Sequence, residues 1–271
     1  MANEASKRKL WSSLHTRKGV QAAAVIAASA AALTAGSLPA SAATSSPYTS
    51  GTNGYDVSYP QCPGTTAPSA ASGTTYTFAI IGIGGGRPFT SNTCANAETA
   101  TATGSGITNI AYYFNTGYAG AYAKSILKPC ATEAASGADG VFAGLAGHAL
   151  KADQQAWEIG CSEALYAQDN APTVAPTMWW ADVETGNSWS TNTTLNDFTL
   201  DGLSYQMQTG GAIGGFYSYG SAWNKIAGTS HVPTPAENGN WTTVGSGNFN
   251  TAAQYVTQTG LFGGIDTDTA P

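Results

Sequence analysis

The alternation of strand-like and helix-like segments along residues 54–268 limits the fold of this chain more than any other feature. Short apolar and β-branched runs between turn signals predict strands at 54–59, 76–85, 107–116, 177–185, 213–220, 251–259 and 263–268. Apolar residues at helical spacing predict helices at 148–168, 194–208 and 222–227. Strands that alternate with helices in this way indicate a mostly parallel sheet covered by helices.

A parallel sheet either stays open or closes into a barrel, and the glycine-rich segment 81–87 bears on that choice. The segment, IGIGGGR, follows a predicted strand, but no register contains GxGxxG, and no acid lies about 20 residues further on at a strand end. The glycines instead indicate a bulge or a close backbone approach. We therefore predict an α/β fold, an irregular (βα)8-type TIM-like barrel, in preference to an open doubly wound sheet.

Residues 1–42 have the pattern of a signal peptide. The apolar stretch VQAAAVIAASAAALTAG precedes Ala40-Ser41-Ala42, a small-x-small site for signal peptidase. The basic residues before this stretch are Lys7, Arg8, Lys9, Arg17 and Lys18. The stretch is short for a membrane span, and an uncleaved anchor is the alternative. The Ser/Thr/Gly-rich segment 43–53 predicts a flexible linker, and 54–271 is long enough for one barrel domain of a secreted, extracellular protein.

Removal of the leader changes the charge of the chain. The leader holds 5 of the 10 Lys and Arg but only 1 of the 16 Asp and Glu, so the mature protein has a net charge near −10. Such a protein lacks a basic patch for nucleic acid or anionic lipid, so we expect no nucleic-acid partner and no membrane insertion after cleavage. We expect a monomer that acts on a neutral or cationic ligand. The sequence contains no motif for a cofactor or a metal, and neither is expected.

Four cysteines, Cys62, Cys94, Cys130 and Cys161, would be oxidised outside the cell. Two disulfides are expected, and four cysteines allow three pairings. Order along the chain favours Cys62–Cys94 and Cys130–Cys161, each of which closes a loop of about 30 residues and stabilises the fold by roughly 3 kcal/mol. A zinc site is the alternative, but the spacings include no CxxC or HxxxH.

The segment MWWADVETGNSW, residues 178–189, places two acids in an otherwise apolar strand. Residues i and i+2 of a strand project from the same face, so Asp182 and Glu184 would lie side by side. The turn signal GNS follows, which puts the pair at the C-terminal end of the strand, where barrel enzymes build their sites. Two adjacent carboxyls repel each other, and this raises one pKa and retains a proton for the acid catalysis used in glycoside hydrolysis. An acidic turn that only caps the loop is the alternative.

Two further acids lie in the first and last predicted strands. Asp56 belongs to GYDVSY, and Asp266 belongs to GGIDTD. The first and last strands of a closed barrel are neighbours, so both acids would reach the same mouth. An open sheet would not require this.

Aromatic residues near the predicted strand ends are candidates for sugar contact, because their flat apolar faces stack on pyranose rings. The candidates are Tyr113, Tyr217, Trp189 and Trp223. Packing in the core is the alternative for each of them. Arg87 is the one cation near the same mouth and would contact a substrate carboxylate or form a structural salt bridge.

Four segments in this order, GYDVSYPQ, WWADVETGNSW, GGFYSYGSAW and AAQYVTQTGLFGGIDTD, resemble the landmarks of glycoside hydrolase family 25, the lysozyme-type muramidases. The resemblance spans almost all of residues 54–268. It implies an irregular (β/α) barrel that cleaves a polysaccharide substrate, the β-linked N-acetylated cell-wall glycan peptidoglycan. It also implies that Glu184 is the acid, and that Asp182 is its electrostatic partner or orients the substrate's N-acetyl group. Asp56 and Asp266 would complete the acidic cluster.

The chain departs from the family's pattern at two predicted strand ends. The second strand continues IGIGGGRPFTSNTC, where the family has an acid near a Thr-Glu-Gly step. The third ends YYFNTG rather than in a Tyr-His-Phe type of sequence. With its four cysteines, the chain resembles a secreted subgroup of this family. The alternative functions are a catalytically inactive barrel that binds glycan or a protein partner, and a hydrolase of another β-linked polymer.

Overall fold

The computed structural model describes residues 45–62, 73–229, 231–262 and 265–271. The expected signal peptide, residues 1–42, lies outside these residues. Eight strands form a closed barrel in chain order, so the expected α/β TIM-like barrel is confirmed. The strands are β1 Asn53–Val57, β2 Tyr76–Gly82, β3 Asn109–Asn115, β4 Met178–Asp182, β5 Gly214–Tyr217, β6 Gly239–Thr243, β7 Gln254–Phe262 and β8 Ile265–Thr269.

The barrel is irregular in its last part. Strands β1 to β7 pair in parallel, whereas β8 runs antiparallel to both β7 and β1. Residues 244–253, between β6 and β7, contain turns and bends but no helix. Because β8 runs in the opposite direction, its first residues lie beside the C-terminal ends of the parallel strands.

Helices follow most of the earlier strands. Among the described residues, the α-helices are α1 Ala95–Gly104, α2 Lys128–Ser136, α3 Gly147–Asp169, α4 Thr193–Gln208 and α5 Gly220–Ala227. The last three match the predicted helices. The sequence pattern does not indicate α1 or β6, because ANAETATATG has no apolar stripe and GNWTT contains Gly and Asn, which are rare in strands. No helix in the described part of the chain is long and apolar enough to cross a membrane.

Side chains of the strands alternate between the barrel interior and the layer beneath the helices. The interior holds Phe78, Ile80, Met178, Trp180 and Val256, all fully buried. Glycines on adjacent strands make room for these large side chains. A Cβ on Gly54 would lie 2.3 Å from the ring of Phe78, and a Cβ on Gly215 would lie 2.5 Å from Cε of Met178. The interior is therefore a packed core. It opens into a cavity at the end of the barrel where the parallel strands terminate.

Part of the segment 43–53, which the composition predicts to be a flexible linker, packs against the barrel. Tyr48 is 5% exposed, and its hydroxyl accepts a hydrogen bond of 2.9 Å from Nε1 of Trp180. Nδ2 of Asn109 donates to the carbonyl of Pro47 at 2.9 Å. The ring of Tyr48 belongs to the same buried cluster as Phe78 and Trp180, so the described part of this segment contributes to the barrel core.

Both expected disulfides are present. Cys62–Cys94 joins the segment after β1 to the residue that precedes α1, and Cys130–Cys161 joins α2 to α3. The pairing favoured by chain order is confirmed. Cys130 and Cys161 belong to a buried cluster that is separate from the barrel interior.

Candidate active site

An open cavity of about 240 Å³ lies at the end of the barrel where the parallel strands terminate. Its lining residues come from seven of the eight strands or from the residues just after them. They are Asp56, Tyr113, Asp182, Glu184, Tyr217, Trp241, Gln258 and Asp266. The structure thus brings together the four acids and two of the aromatic residues that the sequence singles out.

Asp182 is fixed by the neighbouring strand β3. Nδ2 of Asn115 donates to its Oδ2 at 2.6 Å, and Thr116 donates to its backbone carbonyl through both the amide, at 3.2 Å, and Oγ1, at 2.6 Å. Asp182 is 5% exposed, and its Oδ1 is buried with no hydrogen-bond partner among the described residues. That oxygen therefore has an unused hydrogen-bonding capacity on a residue that lines the cavity.

Glu184 lies two residues beyond the end of β4, and its backbone is held from both sides. The amide of Val183 donates to the carbonyl of Tyr217 at 2.9 Å, and Oγ of Ser218 donates to the carbonyl of Val183 at 2.8 Å. Nε1 of Trp189 donates to the carbonyl of Glu184 at 2.9 Å. These bonds extend the strand geometry past Asp182, so both carboxyls face the same cavity. The Glu184 side chain is half-buried.

The environment of these two carboxyls favours retention of a proton. Burial, and then the charge of Glu184, raises the pKa of Asp182 well above its usual range, and the hydrogen bond from Asn115 opposes this shift. Burial raises the pKa of Glu184 as well. Two carboxyls that interact this closely titrate as a pair rather than independently. Glu184 is the more accessible of the two.

Asp56 and Asp266 face each other across the β1–β8 seam. The antiparallel register pairs the two residues directly. Asp56 is 7% exposed, whereas Asp266 is half-buried. Burial, and then the charges of Asp268 and Asp266, raises the pKa of Asp56 well above its usual range. Burial also raises the pKa of Asp266. The side of the cavity opposite β4 is therefore lined by two carboxyls that hold their protons to higher pH than exposed aspartates do.

Three aromatic rings form a continuous wall of the cavity. The centroid of Trp241 lies 4.6 Å from that of Tyr217 and 5.8 Å from that of Tyr113. The hydroxyl of Tyr217 donates to Oε1 of Gln258 at 3.2 Å. Burial raises the pKa of both tyrosines, so their hydroxyls stay protonated as hydrogen-bond donors. Apolar faces beside polar groups are the usual composition of a small-molecule site.

Three of the expected substrate-binding residues lie elsewhere. Trp223 is fully buried, with its ring centroid 4.8 Å from that of Phe249, and the expected substrate contact is corrected: Trp223 is a core residue of α5. Trp189 does not line the cavity and instead supports the backbone of Glu184. Arg87 is exposed and borders a separate small pocket that also contains Glu163.

Two residues that line the cavity are not indicated by the sequence pattern. Trp241 lies on β6, the strand that the pattern does not predict. Gln258 lies on β7, two residues after the inward-facing Val256. The sequence does contain a signal for Gln258: side chains alternate along a strand, so the residue two positions after an inward-facing valine also faces inward. In the described part of the chain, no group of three or more His, Cys, Asp or Glu side chains is arranged to hold a metal ion.

No protein-family model matches the sequence, and no curated protein matches it. Among solved structures, the chain is similar to GHIP, described as a novel virulence factor and a glycosyl hydrolase 25 of Streptococcus pneumoniae participating in host cell invasion. The identity is 13%, the similarity covers 82% of this chain and 87% of that chain, and the TM-score is 0.49. The barrel architecture described above rests on the strand pairing of this chain rather than on that similarity.

Proposed function

We propose that this protein is a secreted glycoside hydrolase that cleaves a β-linked, N-acetylated cell-wall glycan of the peptidoglycan type. The observation that carries the proposal is the convergence of Asp182 and Glu184 with Asp56 and Asp266 in one open cavity beside an aromatic wall. Hydrolysis of a glycosidic bond requires two neighbouring carboxyls in different states, one that retains a proton as the acid and one that is ionised. The disulfides and the leader pattern support export, and the sequence resemblance supports the choice of substrate.

In the proposed reaction, Glu184 gives its proton to the glycosidic oxygen as the bond between that oxygen and the anomeric carbon breaks. Positive charge develops at the anomeric carbon. Asp182 stabilises this charge directly, or it accepts a hydrogen bond from the acetamido N–H so that the acetamido oxygen bonds to the anomeric carbon. A water molecule then adds to that carbon and gives a proton to Glu184. In the second route, the bond between the acetamido oxygen and the anomeric carbon breaks as the water adds. Both routes use the same two residues.

Product analysis tests the proposal. Purified protein is incubated with peptidoglycan, chitin oligosaccharides, xylan and cellulose, and new reducing ends are measured and identified after borohydride reduction. We expect reducing-end amino sugars from peptidoglycan and none from the glucan or the xylan. Co-sedimentation with peptidoglycan without release of reducing ends would instead identify a glycan-binding barrel. Cleavage of xylan or cellulose alone would identify a hydrolase of another polymer.

The hydrogen bond from Asn115 to Asp182 leads to a prediction about pH dependence. This bond lowers the pKa of Asp182, so its removal in Asn115→Ala should raise that pKa further. Because Asp182 acts as the anion, the acid limb of the kcat/KM profile should move to higher pH, by about one unit for the loss of one hydrogen bond to a charged group. The profile is measured with peptidoglycan as substrate. Asn224→Ala, at an exposed position of α5, is the control and should leave the profile unchanged.

A further inference from the structure

A fifth acid, Asp268, lies in the barrel interior below the cavity. It is 1% exposed, and it follows Asp266 by two residues on β8, so both side chains project inward. Nε1 of Trp241 donates to Oδ1 of Asp268 at 3.0 Å. The residue directly opposite on β1 is Gly54, which has no side chain to separate Asp268 from the next inward-facing residue of that strand, Asp56.

The carboxyls of Asp56 and Asp268 are within hydrogen-bonding reach of each other. Each carboxyl has one buried oxygen, Oδ2, that accepts no hydrogen bond from an N–H or hydroxyl group of the described residues. Two ionised carboxylates in contact would repel each other and would leave both oxygens without a hydrogen bond. A single proton between them satisfies both oxygens at once.

We propose that Asp56 and Asp268 hold one proton between them and that Asp268 is a positioning residue, which acts through Asp56 on the charge of the cavity. Its place in catalysis rests on the proposed function, but the sharing of the proton does not. The proton keeps the pair at one negative charge. Asp56 is thereby held against the β1–β8 seam, and the charge beside Asp182 stays limited.

The groups that surround the pair favour this protonation. Asp268 faces Asp266, also on β8, the phenol of Tyr76 on β2, and the phenol of Tyr48 before β1. On the other side, the groups that face Asp56 are Asp182 on β4, Tyr113 on β3, Tyr217 on β5 and Asp266. None of these titratable groups is a cation, so none offsets a second negative charge, although a hydrogen bond from Gln258 on β7 lowers the pKa of Asp56. Burial raises the pKa of Asp268 to about 8, although the hydrogen bonds that Asp268 accepts from Trp241 and Asp56 act in the opposite direction.

The substitution Asp268→Asn separates proton sharing from simple packing. An asparagine has the same shape, keeps an acceptor for Trp241, and offers an N–H to Oδ2 of Asp56. Asp56 then needs no shared proton. We propose to follow the side-chain carboxyl carbons of ¹³C-labelled aspartates by NMR from pH 4 to 10. In the wild-type protein we expect one aspartate transition near pH 8, and we expect it to be lost in both Asp268→Asn and Asp56→Asn. Asp169→Asn, at an exposed position, is the control and should retain the transition.

Chemical denaturation over the same pH range gives a second measurement. A carboxyl whose pKa is raised in the folded protein stabilises the fold at low pH, and this contribution is lost as the pH rises through the folded value. Wild-type stability should therefore decline up to about pH 8, and Asp268→Asn should show a shallower decline.

Two results would overturn the proposal: no aspartate transition above pH 6 in the wild-type protein, or transitions near pH 8 that are unchanged in number and amplitude in Asp268→Asn. Neither measurement uses a substrate. Failure of the paired-proton proposal would therefore leave the glycosidase proposal intact, and absence of glycosidase activity would leave the titration result interpretable.

Discussion

Glu184→Gln is expected to lower kcat for peptidoglycan cleavage by about 10²- to 10⁴-fold, the usual contribution of a positioned general acid. Glutamine matches the shape of the glutamic acid side chain but has no proton to give to the leaving oxygen. The backbone of Glu184 is held through Val183 and Trp189, so the substitution should not displace the loop. KM should change little, because the lost interaction is made mainly in the transition state.

The pH profile separates this effect from a general loss of structure. Proton donation by Glu184 requires its protonated form, so the wild-type rate should fall at alkaline pH as the carboxyl ionises. The residual rate of Glu184→Gln should lack this alkaline limb. Glu133→Gln, on helix α2 and outside the cavity lining, is the matched control and should behave as the wild-type protein does. Equal rates for wild type and Glu184→Gln would remove acid catalysis by this residue from consideration.

The acidic residues of the site are predictable from the sequence because strand geometry fixes where they point. Asp182 and Glu184 share a face through a period of two, and closure of the barrel makes Asp56 and Asp266 direct partners. For Asp182, Glu184 and Asp56, the order of the strands and the position of each acid near a strand end are enough. Asp266 is the second residue of β8, so its place at the cavity also depends on the antiparallel direction of that strand, which the sequence does not reveal.

The positions of the aromatic residues are less predictable, because an aromatic side chain near a strand end can either pack in the core or line the cavity. Trp223 lies three residues into α5 and packs inward beneath the helix, whereas Tyr217 is the last residue of β5 and faces the cavity. Trp241 belongs to a strand of five residues with glycine and asparagine at its start. Only the pairing of that strand with β5 and β7 places its indole in the cavity.

The close packing of α3 against α4 is also not predictable from the sequence pattern. Both helices follow from apolar periodicity, but the closeness of their approach depends on two glycines that the pattern treats as neutral. A Cβ on Gly160 would lie 1.9 Å from the carbonyl oxygen of Thr199. A Cβ on Gly202 would lie 2.1 Å from the carbonyl oxygen of Trp157. The two helices therefore touch backbone to backbone at this crossing, and each glycine faces the other helix.

Gly160→Ala is accordingly expected to lower the free energy of unfolding by about 1–3 kcal/mol, the usual cost of overpacking a well-filled core. The added methyl group meets a backbone carbonyl that cannot rotate away, so α3 and α4 must separate and loosen the contacts around Trp157 and Leu203, both fully buried. For a domain of this size, the change corresponds to a decrease in Tm of roughly 2–4 °C per kcal/mol. Urea denaturation followed by circular dichroism measures the loss.

Gly104→Ala provides the matched control for this substitution. Gly104 is also a helical glycine, at the end of α1, but a Cβ there would meet no atom within 4 Å. Alanine restricts the unfolded chain more than glycine does, so this variant should be as stable as the wild-type protein or slightly more stable. If Gly160→Ala also retained wild-type stability, the two helices could not be in backbone contact at that crossing. A loss confined to Gly160→Ala would show that the close approach of α3 and α4, rather than helix propensity, sets the requirement for glycine.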